Sequence, residues 1–195
     1  MTTGTWLITG VSSGFGHALT TRLLERGDRV IGTVRSLDKV TDLRKRYPDT
    51  FRAKILDVTD TTAVRAVVDE AFAAGRVDVI VSNAGYGLFG AAEELTDAQV
   101  DHIIATNLTG SITLIRAALP HLRAQGGGRV VQLSSYGGQV AFPGNSLFWA
   151  PPPPSTAGST PHEQGHLRHR CRARPGHRHR PAGPGRRPPG RGHRP

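Results

Sequence analysis

The sequence predicts an α/β fold, a doubly wound parallel sheet that is C-terminally incomplete and is followed by a disordered tail rich in Pro, Arg, Gly and His. Three observations predict it. Short β-branched runs alternate with longer amphipathic stretches up to Leu147. A glycine-rich turn sits at the first junction between a strand and a helix. The composition then changes abruptly, so that residues 1–150 and 151–195 read as two different units.

Strands are expected at Trp6–Thr9, Arg29–Val34, Arg52–Leu56, Val77–Ser82 and Arg129–Leu133. Several are almost continuously apolar, as parallel strands buried on both faces must be. Helices are expected at roughly Gly14–Arg26, Leu37–Arg46, Thr61–Ala74, Asp97–Ala105 and Gly110–Gln125. In the third, Ala63, Val64, Val67, Val68, Ala71 and Phe72 recur at helical spacing and would pack on the sheet. Asp60 and Thr96 stand at N-cap positions, and Gly27, Gly75 and Gly126 follow helix ends. Right-handed crossovers give the strand order 3-2-1-4-5.

Charge separates the two units. The chain has 195 residues and a formal net charge of +10, but residues 1–150 hold 15 basic and 14 acidic side chains, a net +1. Residues 151–195 hold ten Arg and the single acid Glu163, a net +9. Of these last 45 residues, 34 are Pro, Arg, Gly or His, and none is Val, Ile, Phe or Tyr. Such a segment buries too little apolar surface to offset its ordering entropy, so disorder is expected. A nucleic-acid or polyanion role for the tail is disfavoured, because it has no aromatic side chain on which a base could stack. Its six His lack a fixed ligand spacing, and no metal site is expected. The sole cysteine, Cys171, excludes an intrachain disulfide. There is no signal-peptide pattern and no apolar run near the ~20 residues that span a bilayer. A cytoplasmic protein without a membrane partner is the expectation.

The segment Thr9-Gly10-Val11-Ser12-Ser13-Gly14-Phe15-Gly16 carries the chemistry. Gly10 allows the sharp exit from the strand, Gly14 lets the backbone approach a pyrophosphate, and Gly16 permits close helix–strand packing. The helix N-terminus attracts the anion through its free N–H groups. This arrangement predicts a dinucleotide-binding Rossmann fold. About 20 residues further on, where a carboxylate would accept a ribose 2′-OH, the sequence reads Thr33-Val34-Arg35. An Arg there suits a 2′-phosphate, so NADP is favoured over NAD.

The pattern Thr-Gly-x-x-x-Gly-x-Gly resembles the fingerprint of the short-chain dehydrogenase/reductase family, and further motifs follow in that family's order. Asp57-Val58 at the end of the third strand resembles the family's adenine site. Asn83-Ala84-Gly85 is similar to its Asn-Asn-Ala-Gly motif, with Ser82 in place of the first Asn. Asn107 matches the active-site Asn, and Ser134-Ser135 the segment of the catalytic Ser, here Ser135. The resemblance covers about residues 3–147. It implies hydride transfer between NAD(P) and a small-molecule carbonyl or alcohol, and it is compatible with a homo-oligomer in the intact family member.

The resemblance also implies a Tyr that protonates the substrate oxygen and a Lys four residues later that lowers its pKa, since a phenol titrates near 10 on its own. The Tyr position, thirteen residues after Ser135, is Phe148, and the Lys position is Pro152. The tyrosines are Tyr47, Tyr86 and Tyr136, each followed four residues later by Phe51, Gly90 and Val140, and the last lysine is Lys54. The chain as written is therefore expected to be catalytically impaired, the alternative being a non-catalytic dinucleotide-binding remnant or pseudoenzyme. The family's register ends at Asn145-Ser146-Leu147, and the Pro, Arg, Gly and His richness beyond is what a frameshift in a GC-rich gene produces.

Overall fold

The computed structural model describes residues 3–135 and 169–170. The elements run β1 (Thr5–Thr9), α1 (Gly14–Glu25), β2 (Arg29–Val34), a 3-10 turn (Leu37–Val40), α2 (Thr41–Arg46), β3 (Phe51–Ile55), α3 (Thr61–Ala73) and β4 (Val79–Ser82). A second 3-10 turn (Ala92–Glu94), α4 (Asp97–Ile104), a π-helical segment (Ala105–Gly110), α5 (Ser111–Ala124) and β5 (Arg129–Gln132) follow. The five strands are parallel in the order β3-β2-β1-β4-β5, as the sequence predicts. A two-residue strand, β6 (His169–Arg170), pairs antiparallel with β5, so these two residues of the expected disordered tail join the sheet.

The apolar strands alternate their side chains between two cores. Leu7 and Ile80 pack with Val64 and Val68 of α3 and Leu114, Ala118 and Leu122 of α5. Ile8, Val79 and Val81 face the other way, onto Leu23 and Leu24 of α1 and Leu43 of α2. This two-sided burial is why the strands carry no polar alternation. The expected caps are in place. Asp60 accepts hydrogen bonds from the Thr62 and Ala63 amides, and Thr96 forms a capping box with Gln99.

Two expectations change. The helices expected at Asp97–Ala105 and Gly110–Gln125 are one continuous helix of 28 residues, Asp97–Ala124. Gly110 suggests a helix start in the sequence, but it serves close approach: a Cβ there would lie 2.6 Å from the Val58 carbonyl oxygen. By length and composition this helix could cross a membrane, a feature that uninterrupted apolar runs do not reveal. Its Leu114, Ala118 and Leu122 are instead buried in the core. The stretch expected as a single helix at Leu37–Arg46 is divided, with a 3-10 turn up to Val40 and α2 beyond it.

Two Arg-x-Asp segments hold the start of β1. The Asp28 carboxylate accepts from the Gly4 amide at 2.8 Å and from Arg26 Nε at 2.6 Å. On the other flank, Asp78 accepts from the Thr5 amide at 2.9 Å and from Arg76 Nε at 2.7 Å. Burial pushes the Asp28 carboxyl up, but the Gly4 amide and Arg26 outweigh it and leave it below the ordinary aspartate range. Its stabilising contribution is thus present above that range and is lost as the pH falls through the depressed value. Asp28→Asn should lower the melting temperature at neutral pH, by the equivalent of about 1–3 kcal/mol for a buried charge-assisted pair. The gap between the two melts should persist down to the ordinary aspartate range and close only as the pH falls through the depressed value; a constant gap would show that the carboxylate charge is not what stabilises the strand.

Candidate functional site

The loops that follow the carboxyl ends of β1, β2, β3 and β4 meet at one rim of the sheet, where the crossovers change direction. Open α/β sheets bind their ligands at this edge. Thr9, the last residue of β1, is the junction. Its hydroxyl reaches the Val81 carbonyl at 3.4 Å and accepts from the amides of Asn83 and Ala84, both at 3.0 Å. The Asn83 side-chain amide donates to the carbonyls of Thr9 at 2.8 Å and Gly10 at 2.9 Å. The loop after β4 is thereby latched to the loop after β1. Thr9 opens the glycine motif, yet the motif alone assigns it no role; a Thr at the end of a buried strand is the signal that points to one.

The glycine turn fits tightly beneath this latch. Gly10 has φ +73° and Gly14 +56°. A Cβ at Gly16 would lie 2.3 Å from the Gly10 carbonyl oxygen and 2.4 Å from Asn83 Nδ2, so the helix can come this close only without one. Gly14 has no neighbour within 4 Å of such a Cβ and faces open space. Ser13 is the N-cap of α1, with no side-chain capping bond and no acidic residue in the first turn. The first amides of the helix are therefore available to an anion. Ser12 is half-buried, Ser13 is exposed, and the Phe15 ring is 83% exposed.

Arg35 is exposed one residue past the end of β2. Asp57 and Val58 lie beyond β3, which ends at Ile55, rather than on it. Asp57 turns its carboxylate onto Thr59, accepting from the amide at 2.9 Å and the hydroxyl at 2.7 Å. These two bonds hold it below the usual aspartate range against the opposing effect of burial, and the charges of Arg35 and His102 assist. Val58 is buried against Gly110.

Asn107 lies in the π segment, a distortion frequent at functional sites. Its side-chain amide clasps the backbone of Tyr86, donating to the carbonyl at 2.8 Å and accepting from the amide at 3.1 Å, with Gly85 against it. Tyr86 in turn lies 5.7 Å, ring to ring, from His102. Ser82, which stands where the resemblance implies Asn, is buried and shares a 3.1 Å hydrogen bond with Ser111. Ser135 is exposed three residues beyond β5. Tyr136, Phe148 and Pro152 lie outside the described residues, as does residue 151 onward apart from β6.

The chain belongs to the short chain dehydrogenase family, whose pattern matches residues 5–150. It is 37% identical over 147 residues to Oxidoreductase BOA17 of Botryotinia fuckeliana, covering 73% of this chain and 53% of that protein. A short-chain dehydrogenase from Streptomyces avermitilis superposes with a TM-score of 0.74 at 43% identity, covering 76% of this chain and 55% of the other. ElxO, solved with NADP bound, gives 0.71 at 29% identity, covering 76% and 62%. A 3-ketoacyl-(acyl-carrier-protein) reductase from Brucella melitensis, complexed with NADH, gives 0.71 at 27%, covering 75% and 63%. The chain spans about half the length of the relatives it matches.

The latch generates a prediction. Asn83→Asp would set a carboxylate against two carbonyl oxygens and should cost about 2–4 kcal/mol at neutral pH, more than Asn83→Ala. Because that carboxyl's pKa would be raised, acid should restore part of the loss, as the protonated group can again donate. Denaturant melts at neutral and acid pH measure this, and equal stability of the Asp and Ala variants at both would contradict it.

Proposed function

We propose that this chain binds NADP(H) across the loops after β1, β2, β3 and β4, and that in an intact family member the same site transfers hydride between NADP(H) and a small-molecule carbonyl or alcohol. The observation that carries the reading is the uncapped N-terminus of α1 beneath the Gly10–Gly16 turn, open at Gly14. Gly10, Ser12, Ser13, Gly14, Phe15 and Gly16 would hold the pyrophosphate. Asp57 and Val58 would border the adenine, and Asn83, Ala84 and Gly85 the adjoining ribose. Bound nicotinamide supplies the hydride; the chain's own residues bind, orient and hold protons. Asn107 positions the loop of Tyr86, and Ser135 offers a hydroxyl to the substrate oxygen.

Solved relatives include one with NADP and one with NADH, so the family alone does not decide the cofactor. Arg35 supports NADP, because a guanidinium fork just past the end of β2 suits a 2′-phosphate. NADPH should bind more tightly than NADH, by about tenfold or more, for a charge-assisted contact. Arg35→Asp should reverse the order. Calorimetric titration of both cofactors on both proteins is the check, and unchanged affinities would remove Arg35 from the site.

We further propose that the chain as written does not turn over. The proton donor's position holds Phe148, which has no proton to give, and the cation's position holds Pro152. A positioned acid–base group contributes about 10²–10⁴-fold. NADPH oxidation against a panel of ketones and aldehydes should stay at background. Phe148→Tyr with Pro152→Lys should not rescue it, because Pro151, Pro153 and Pro154 cannot continue a helix that sets both side chains one turn apart. Turnover by the unmodified chain that survives Ser135→Ala would refute this reading.

A further inference from the structure

Far from the glycine turn, the outer edge of the sheet carries a second feature. In β3 the main chain alternates its partners. The Val30 amide bonds to the Thr50 carbonyl and the Leu56 amide to the Val34 carbonyl, both at 2.8 Å. With the register Val30↔Phe51 to Val34↔Ile55, residues 50, 52, 54 and 56 present their peptide groups to β2. The peptide groups of Ala53 and Ile55 therefore point away from the sheet, and among the described residues nothing pairs with them. The Phe51 amide instead folds back to the Tyr47 carbonyl at 2.9 Å.

This edge lines a groove of about 650 Å³ between α2 and β3. Arg44, Lys45, Arg52 and Lys54 line it with Thr41 and Pro48, and no acidic side chain does. Lys54 is ion-paired to Glu70, whereas Arg44, Lys45 and Arg52 form no ion pair among the described residues. The cations flank the edge from both sides. Phe51 is buried in the core shared with Leu43 of α2, and strand alternation sends Arg52 and Lys54 to the opposite face, where Lys54 meets Glu70 of α3. Arg44 and Lys45 rise from α2 on the first face.

We propose that this groove docks an acidic, extended peptide segment of a partner protein, which adds to β3 as a further strand. The outer edge offers donors and acceptors in strand alternation, which an extended peptide satisfies on both counts. A DNA phosphodiester chain has acceptors for the amides but no backbone donor for the carbonyls of Phe51, Ala53 and Ile55, and the isolated 2′-OH groups of RNA do not follow the strand's repeat. A second copy of this chain would bring the same cations face to face. Side chains of an added strand alternate between faces, and here both faces are basic, so acidic residues at either register meet a cation. Charge on an edge strand normally prevents pairing with its own kind; here the same charge selects a partner of opposite sign.

The test uses the full chain and a labelled peptide of mixed Glu and Val, followed by fluorescence anisotropy and by amide hydrogen exchange. The Ala53 and Ile55 amides should slow on peptide addition, and replacing alternate peptide residues with Pro should abolish both slowing and binding at this site. Arg44→Glu with Arg52→Glu should weaken the peptide-dependent slowing by about tenfold, as loss of complementary charge predicts. Binding to the Arg-rich tail would be untouched by those substitutions, which separates the two sources. Where the charge reversal disturbs folding, Ala53→Pro decides, because proline is tolerated at an outward-facing edge position yet removes the donor; it should leave the melt intact and eliminate the slowing that the peptide produces at the Ile55 amide. The proposal is overturned if the peptide leaves Ala53 and Ile55 exchange unchanged, if a single-stranded oligonucleotide slows them equally, or if they slow with protein concentration alone.

Discussion

The Thr9 hydroxyl and the Asn83 amide join the ends of β1 and β4 through five hydrogen bonds, all made to or from backbone atoms. Parallel strands have no turn to align their carboxyl ends, so something else must fix the two loops relative to each other. Here two short polar side chains do it. Once they are in place, the glycine turn has its ceiling, α1 can approach to the distance that Gly16 allows, and the helix amides point to a defined space. At the opposite ends of the strands, Asp28 and Asp78 perform the matching task on β1. The central strand is thus clamped at both ends, with one end serving stability and the other leaving room for a ligand.

The parts of this fold that were legible in the sequence are those whose causes are local. Val30, Ile31, Val34 and Val79–Val81 announce buried parallel strands, and Asp60 and Thr96 cap helices through amides only two or three residues away. What was hidden depends on a distant neighbour. Gly110 imitates a helix boundary until Val58, more than fifty positions earlier, is seen pressing on it. Asn107 was identifiable by resemblance, but its grip on the Tyr86 backbone follows from the π segment, for which the sequence carries no periodic signal. Asp57, expected at the end of the third strand, lies two residues past β3, and its carboxylate accepts from the Thr59 amide in the turn that follows.

The same logic explains the contrast between the sheet's flanks. β1 and β4 are buried nearly throughout, with helices on both faces. β5 is exposed at three of its four positions, and Leu108 and Ile112 stand open on the long helix. The edge at β3 is also open; it is basic at Arg52 and Lys54 and carries one exposed apolar side chain, Ile55. Apolar exposure and charged exposure have opposite consequences for solubility, and the cations at the β3 edge offset its single exposed isoleucine.

The latch also imposes an order in time. Its two halves are 74 residues apart along the chain, so during synthesis the glycine turn emerges long before the residue that completes it. A nascent chain reaching only α3 already contains the whole fingerprint, yet lacks the amide that holds its loop in shape. Closing contacts of such separation is slow compared with forming a local helix. The proposed dinucleotide site is therefore complete only once β4 has docked beside β1, and ligand bound there would report that this docking had occurred.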